Sequence, residues 1–163
     1  MRYYLILVFS ILILVATTGC SSHSEEEIGS LVDYRNQIDT LFTQYENPPI
    51  AELQKQLPYD GNAYFNYYSD IQNKANKVKI DVKTATINLK SDKGQKAGMA
   101  IITAAQSLED ACQSVNTVIK NNQGHFTERD TARILTDAAN NEKAEKKKLD
   151  DTIPVMRAAF KDN

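Results

Sequence analysis

The sequence is poor in the residues around which catalytic and metal centres are usually built. Its 163 residues hold two histidines and two cysteines. Two cysteines cannot make a disulfide framework. His23 and His125 have no partner at His-x-x-x-His or Glu-x-x-His spacing, so neither reads as a metal ligand. Gly-x-Ser-x-Gly, phosphate-loop and dinucleotide fingerprints are all missing. There is no excess of positive charge. Nineteen Lys and Arg stand against 21 Asp and Glu, which makes nucleic acid a poor partner. Internal repeats and low-complexity tracts are absent as well. What remains is a composition of 42% hydrophobic and 25% charged residues, inside the globular range.

The first twenty residues differ from all that follow. Arg2 is their only charge, and Tyr3 to Ala16 is a stretch of 14 residues that is apolar but for Ser10. A spanning helix needs about 20, so the stretch fits the apolar core of a secretory signal. A plain cleaved signal and an uncleaved anchor are the competing readings. The run gives way to Ala16-Thr17-Thr18-Gly19-Cys20. This segment resembles a bacterial lipobox, with Thr17 where leucine is commoner. The resemblance covers only residues 1–20. It implies that residues 1–19 are a cleaved signal peptide and that Cys20 becomes an acylated first residue carrying two or three fatty chains. Two or more chains hold a protein firmly to a bilayer. Ser21 resembles the default signal for the outer membrane in diderm bacteria. The implied location is therefore the cell envelope, at the periplasmic face of the outer membrane or, in a monoderm, at the outer face of the cell membrane.

Cleavage before Cys20 would leave 144 residues, with 18 basic and 21 acidic side chains and a charge of −3. A domain of that length buries roughly 68% of its unfolded surface, enough to fold without a metal or disulfide. Residues 20–23 read as a short lipidated tether and residues 24–163 as one helical domain. The tether spans about 10 Å at most, so the domain should hug the membrane.

The domain reads as all-α. Ser24-Glu25-Glu26-Glu27 has the form of a capping box, followed by apolar residues at helical spacing from Ile28 to Tyr45. Pro48 and Pro49 end that helix. A short helical piece is expected over 50–57, and Asn62 is the expected cap of the next long helix. That helix carries Tyr64, Tyr68, Ile71, Ala75, Val78, Val82, Ala85 and Leu89, spaced alternately by four and three, a seam typical of bundles and coiled coils. Ser91-Asp92 opens a third helix with a wide, alanine-rich stripe from Ala97 to Ile119, suited to a central helix approached closely by several neighbours. Gly94 and Gly98 would open that helix or permit close packing. Thr127 is the expected cap of a fourth helix, in which Glu142 and Lys146 can pair and Pro154 should kink or interrupt the last turns. Short joints between four long segments predict an antiparallel up-down four-helix bundle.

No catalytic constellation emerges, and neither an enzymatic activity nor a cofactor is expected. Cys112 reads as a small core residue. Glu109-Asp110 and Asp150-Asp151 read as a solvated face, as does the run Lys146-Lys147-Lys148 among its acidic neighbours. The aromatic segment Tyr64-Phe65-Asn66-Tyr67-Tyr68 cannot turn all its rings to one seam, because successive residues rotate by about 100°. Phe65 and Tyr67 either cover the Pro48–Gly61 connection or form an exposed anchor for a protein partner. In the second case Tyr67→Ala would weaken binding and scarcely change Tm. The expected function is a membrane-anchored, non-enzymatic interaction module, acting in assembly or exclusion with an envelope protein. The alternative is a carrier of a small apolar ligand in the bundle core.

Overall fold

A computed structural model describes the backbone of residues 2–53, 61–122 and 143–161, together with residues 130, 133, 134 and 138; side chains are described from residue 23 onward, residue 143 excepted. The chain is predominantly helical, and no strand occurs among the described residues. The elements are α1 (Arg2–Glu46), α2 (Ile50–Leu53), α3 (Asn62–Thr86), α4 (Asp92–Asn121) and α5 (Lys143–Ala158). The four long helices α1, α3, α4 and α5 pack together around one core.

The seam of α3 is realised residue for residue. Tyr64, Tyr68, Ile71, Ala75, Val78 and Val82 are buried, and Ala85 and Leu89 pack against the core from its edge. The run Val78 to Ile87 is rich in β-branched residues yet helical through Thr86: Val78 and Val82 take the buried seam, while Ile80 and Thr84 face solvent. Helix α4 is central and packs against α1, α3 and α5. Its alanines Ala97, Ala104, Ala105 and Ala111 have no accessible surface. Small side chains bring the neighbouring backbones close, while Ile101, Leu108 and Ile119 fill the layers between. Complete burial of each such aliphatic side chain contributes roughly 1.5–3 kcal/mol. Gly98 marks the closest approach: a Cβ there would collide with Thr86 Oγ1.

Caps explain most of the helix ends. The Ser91 hydroxyl accepts from Gly94 N at 2.9 Å, the expected cap of α4. Asn47 Nδ2 donates to Thr43 O at 3.0 Å as α1 ends before Pro48. At the start of α3 the cap is Gly61 rather than Asn62. Its φ of 81° lies in the left-handed region, and no side chain caps the helix. Glycine enters that region without a Cβ clash, so the turn falls one residue earlier than the asparagine suggested.

Two further expectations are corrected. Helix α1 does not begin at Ser24; its backbone is helical from Arg2 onward, and the Ser24–Glu27 box lies within the helix. Pro154 does not interrupt α5, which continues to Ala158, and Met156 beyond the proline is fully buried in the shared core. A proline loses one backbone bond, and here apolar burial on both sides of it outweighs that loss. Of the short piece expected over 50–57, residues 50–53 are helical, with Leu53 buried. Residues 54–57, Thr127 and Glu142 fall outside the described residues.

Candidate functional site

Glu27 is the most heavily engaged polar side chain of the molecule's N-terminal end. Its Oε1 accepts from Lys90 N at 2.7 Å, and its Oε2 accepts from Ser91 N at 2.9 Å and from the Ser91 hydroxyl. His23 Nε2 stands 3.3 Å from the same carboxylate. These donors hold the carboxyl at a pKa of about 2, well below its ordinary 4.5: the Ser91 hydroxyl contributes most, followed by Lys90 N–H, and burial works in the opposite direction. Glu27 therefore does not close a box with its own helix. It bridges α1 to the turn between α3 and α4, and through Ser91 to the α4 cap. Gly94 is small for the same reason, since a Cβ there would sit 2.7 Å from Glu27 Oε2. His23, read as a tether residue, belongs to α1 and faces this carboxylate.

Beside this junction the surface is apolar. A groove of about 470 Å³ runs between α4 and α5, with Met99, Ala100 and Val155 as its floor and Asp92 and Lys96 on its rim. Met99 and Val155 are 55% and 63% exposed. A second groove of about 360 Å³ shares Lys96, Ala100 and Val155 and extends to Ile28 and Lys93. The two form a continuous apolar strip edged by lysines. A third depression, along α1 near Lys74, is lined mostly by polar side chains such as Asp33, Asn36 and Gln37. All three open at the surface rather than inside the core.

The aromatic pair singled out by the sequence is half-buried. The Tyr67 hydroxyl donates to Gln44 O at 2.8 Å, and its ring meets Tyr68 edge-on at 5.4 Å between centroids. Tyr68 in turn meets Tyr45 at 5.9 Å. Phe65 and Tyr67 both pack against the core. These contacts tie α3 to the end of α1, and Tyr67→Ala is now expected to lower Tm measurably. Any recognition role would use only the accessible part of each ring. Cys20 lies outside the described side chains, as does His125.

Cys112 is fully buried, and burial, with a smaller contribution from the Glu109 charge, pushes its thiol well above the usual range. It is a core residue, not a nucleophile. The acidic pair beside it is more than a solvated face. Glu109 Oε2 lies 2.6 Å from Lys79 Nζ, and both side chains are largely enclosed between α3 and α4. Asp110 pairs with Lys148 of α5 at 2.8 Å and accepts from Gln106 at the same distance. Lys146 reaches Glu46 of α1 at 2.9 Å and Asp150 at 3.2 Å. Sequence reasoning missed the links Lys79–Glu109, Asp110–Lys148 and Glu46–Lys146 because each joins two different helices. Among the described residues, no group of His, Cys, Asp and Glu could hold a metal ion, and no helix is long and apolar enough to cross a membrane. No family model, curated protein or solved structure matches the chain.

Proposed function

We propose that the chain is a lipid-anchored envelope protein whose helical domain acts as a non-enzymatic interaction module. The anchor rests on the lipobox-like Ala16–Cys20 segment. The interaction role rests chiefly on one observation: the solvent-exposed apolar strip formed by Met99, Ala100 and Val155 between α4 and α5. Exposed aliphatic side chains in a shallow groove with a charged rim favour a protein partner. Phe65 and Tyr67 supply a second, smaller apolar area at the other end of the molecule.

The bundle in this reading is an up-and-down arrangement of α1, α3, α4 and α5. Partner positions support it, since they move in opposite directions along neighbouring helices. Lys79 meets Gln106 and Glu109, whereas Ser69 meets Asn116 and Thr86 faces Gly98. Glu46 meets Lys146, whereas Asp39 meets Arg157.

The test is affinity capture from envelope extracts with the membrane-anchored chain as bait, comparing the parent with Met99→Lys/Val155→Lys. Recovery of one defined envelope protein by the parent, lost in the double variant, is expected. Equal recovery by both would place recognition elsewhere, and reproducible absence of any partner would contradict the interaction role.

A further inference from the structure

The end of the molecule from which the N-terminal segment departs has an unusual surface. Glu27 fixes α1 to the α3–α4 turn at Lys90 and Ser91. The segment preceding residue 23 therefore leaves the helical domain beside that turn. The same turn exposes Ile87, whose 83% accessibility is the highest of any large apolar side chain among the described residues. A single exposed aliphatic residue is ordinary. This one is surrounded in sequence by Lys83, Lys90, Lys93 and Lys96, all solvent-exposed. Among the described residues, the acidic groups at this end are Glu27 and the exposed Glu25, Glu26 and Asp92, so four exposed lysines stand against three exposed carboxylates and a modest positive excess remains. Glu27 is turned inward onto the turn's N–H groups and cannot offset the lysines in the way a free surface carboxylate would. An apolar tip within a basic collar, next to the departing N-terminal segment, is complementary to a bilayer surface with anionic headgroups.

We propose that the α3–α4 turn is a second membrane contact, with Ile87 entering the interface of an anionic bilayer and Lys83, Lys90, Lys93 and Lys96 meeting its headgroups. The inference rests on the lipid-anchor reading and adds an orientation to it. The domain stands with the α3–α4 turn on the membrane and the turns at Asn47 and Asn121 away from it. Ile28, Lys93 and the apolar strip lie toward the membrane, so a partner would engage the strip close to the lipid surface.

Depth-dependent quenching tests this directly. The full chain is isolated from host membranes and reconstituted into phosphatidylglycerol–phosphatidylethanolamine vesicles brominated on the acyl chains. A fluorophore is placed through Asn88→Cys beside the tip, or through Asn121→Cys at the far end of α4; Cys112 is buried and does not compete for label. Quenching at position 88 is expected to be roughly twice that at 121 or more, given insertion of 5–10 Å. It should fall when Ile87→Asp is added and when phosphatidylcholine replaces phosphatidylglycerol. Ile87 contributes little to the core, so the variant should keep its fold, checked by an unchanged helical circular dichroism. Equal quenching at both positions, or quenching at 88 indifferent to Ile87→Asp, would overturn the proposal. Labelling the parent chain in parallel separates the two readings. Label uptake there would reveal a free thiol at Cys20 and refute the lipid anchor, independently of the depth comparison.

Discussion

The α3–α4 seam and the α1–α5 seam are held by different forces. Between α3 and α4 the approach is close and mostly apolar. Gly98 sits against Thr86, alanines line α4, and the ion pair Lys79–Glu109 at the seam is largely enclosed. Between α1 and α5 the described links are charged and nearer solvent. Asp39 receives Arg157 of α5 at 2.7 Å and, within α1, Arg35 at 3.1 Å. Arg157 lies over the Phe42 ring at 5.9 Å and Arg35 over Phe160 at 6.0 Å. Steric fit sets the first seam and electrostatics trims the second. The first should therefore govern whether the domain folds, and the second how firmly α5 closes on α1.

Substitutions on either side separate the two seams. Leu108→Ala in α4 should have the largest effect, about 2–5 kcal/mol by denaturant unfolding, because the site is enclosed on all sides. Gly98→Ala should come next, at about 1–3 kcal/mol, since the added methyl group forces Thr86 aside; pairing it with Thr86→Ala, which removes the colliding Oγ1, should recover part of the loss. A cost near zero for Gly98→Ala would remove the steric description of this seam. Glu27 offers a pH test at the junction of both seams. Its folded pKa, about 2, is below its ordinary 4.5, so its contribution is complete above about pH 4.5 and disappears as pH falls towards 2. Thermal melts should show Glu27→Gln less stable than the parent at pH 7, with the gap closing at low pH; a constant gap would contradict the assigned hydrogen bonds. Arg157→Ala should cost least, about 1 kcal/mol or less, and the cost should shrink in high salt. A salt-independent loss would instead assign this contact to packing against Phe42.

Much of the steric seam can be read from local sequence. A period of 3.5 over α3 and a wide alanine stripe over α4 state which side of each helix is buried, and both hold at nearly every position. The Ser91 cap and the close packing at Gly98 are equally local. Glu27 is the counterexample. Its spacing from Ser24 describes a capping box, yet its carboxylate is taken by donors 63 and 64 residues further on. Which partner wins depends on how two helices are rotated against each other, and the sequence does not encode that within a window of four residues. Glu109 and Asp110 make the same point: adjacent carboxylates point in different directions, one to α3 and one to α5. For the functional surfaces, Phe65 and Tyr67 stood out as an aromatic cluster, but a hydroxyl bond to Gln44 and ring packing explain most of their presence. The strip at Met99 and Val155 carried no local signal, because it arises only where the edges of two helices meet.

The proposed orientation and partner access depend on Cys20 holding the chain to a bilayer. Intact-mass spectrometry of the chain isolated from its own host's membranes tests this most directly. The expected species is residues 20–163, 144 residues long, with two or three acyl chains on its first residue. A chain that retains residues 1–19, or one whose Cys20 carries no acyl group, would contradict lipid anchoring.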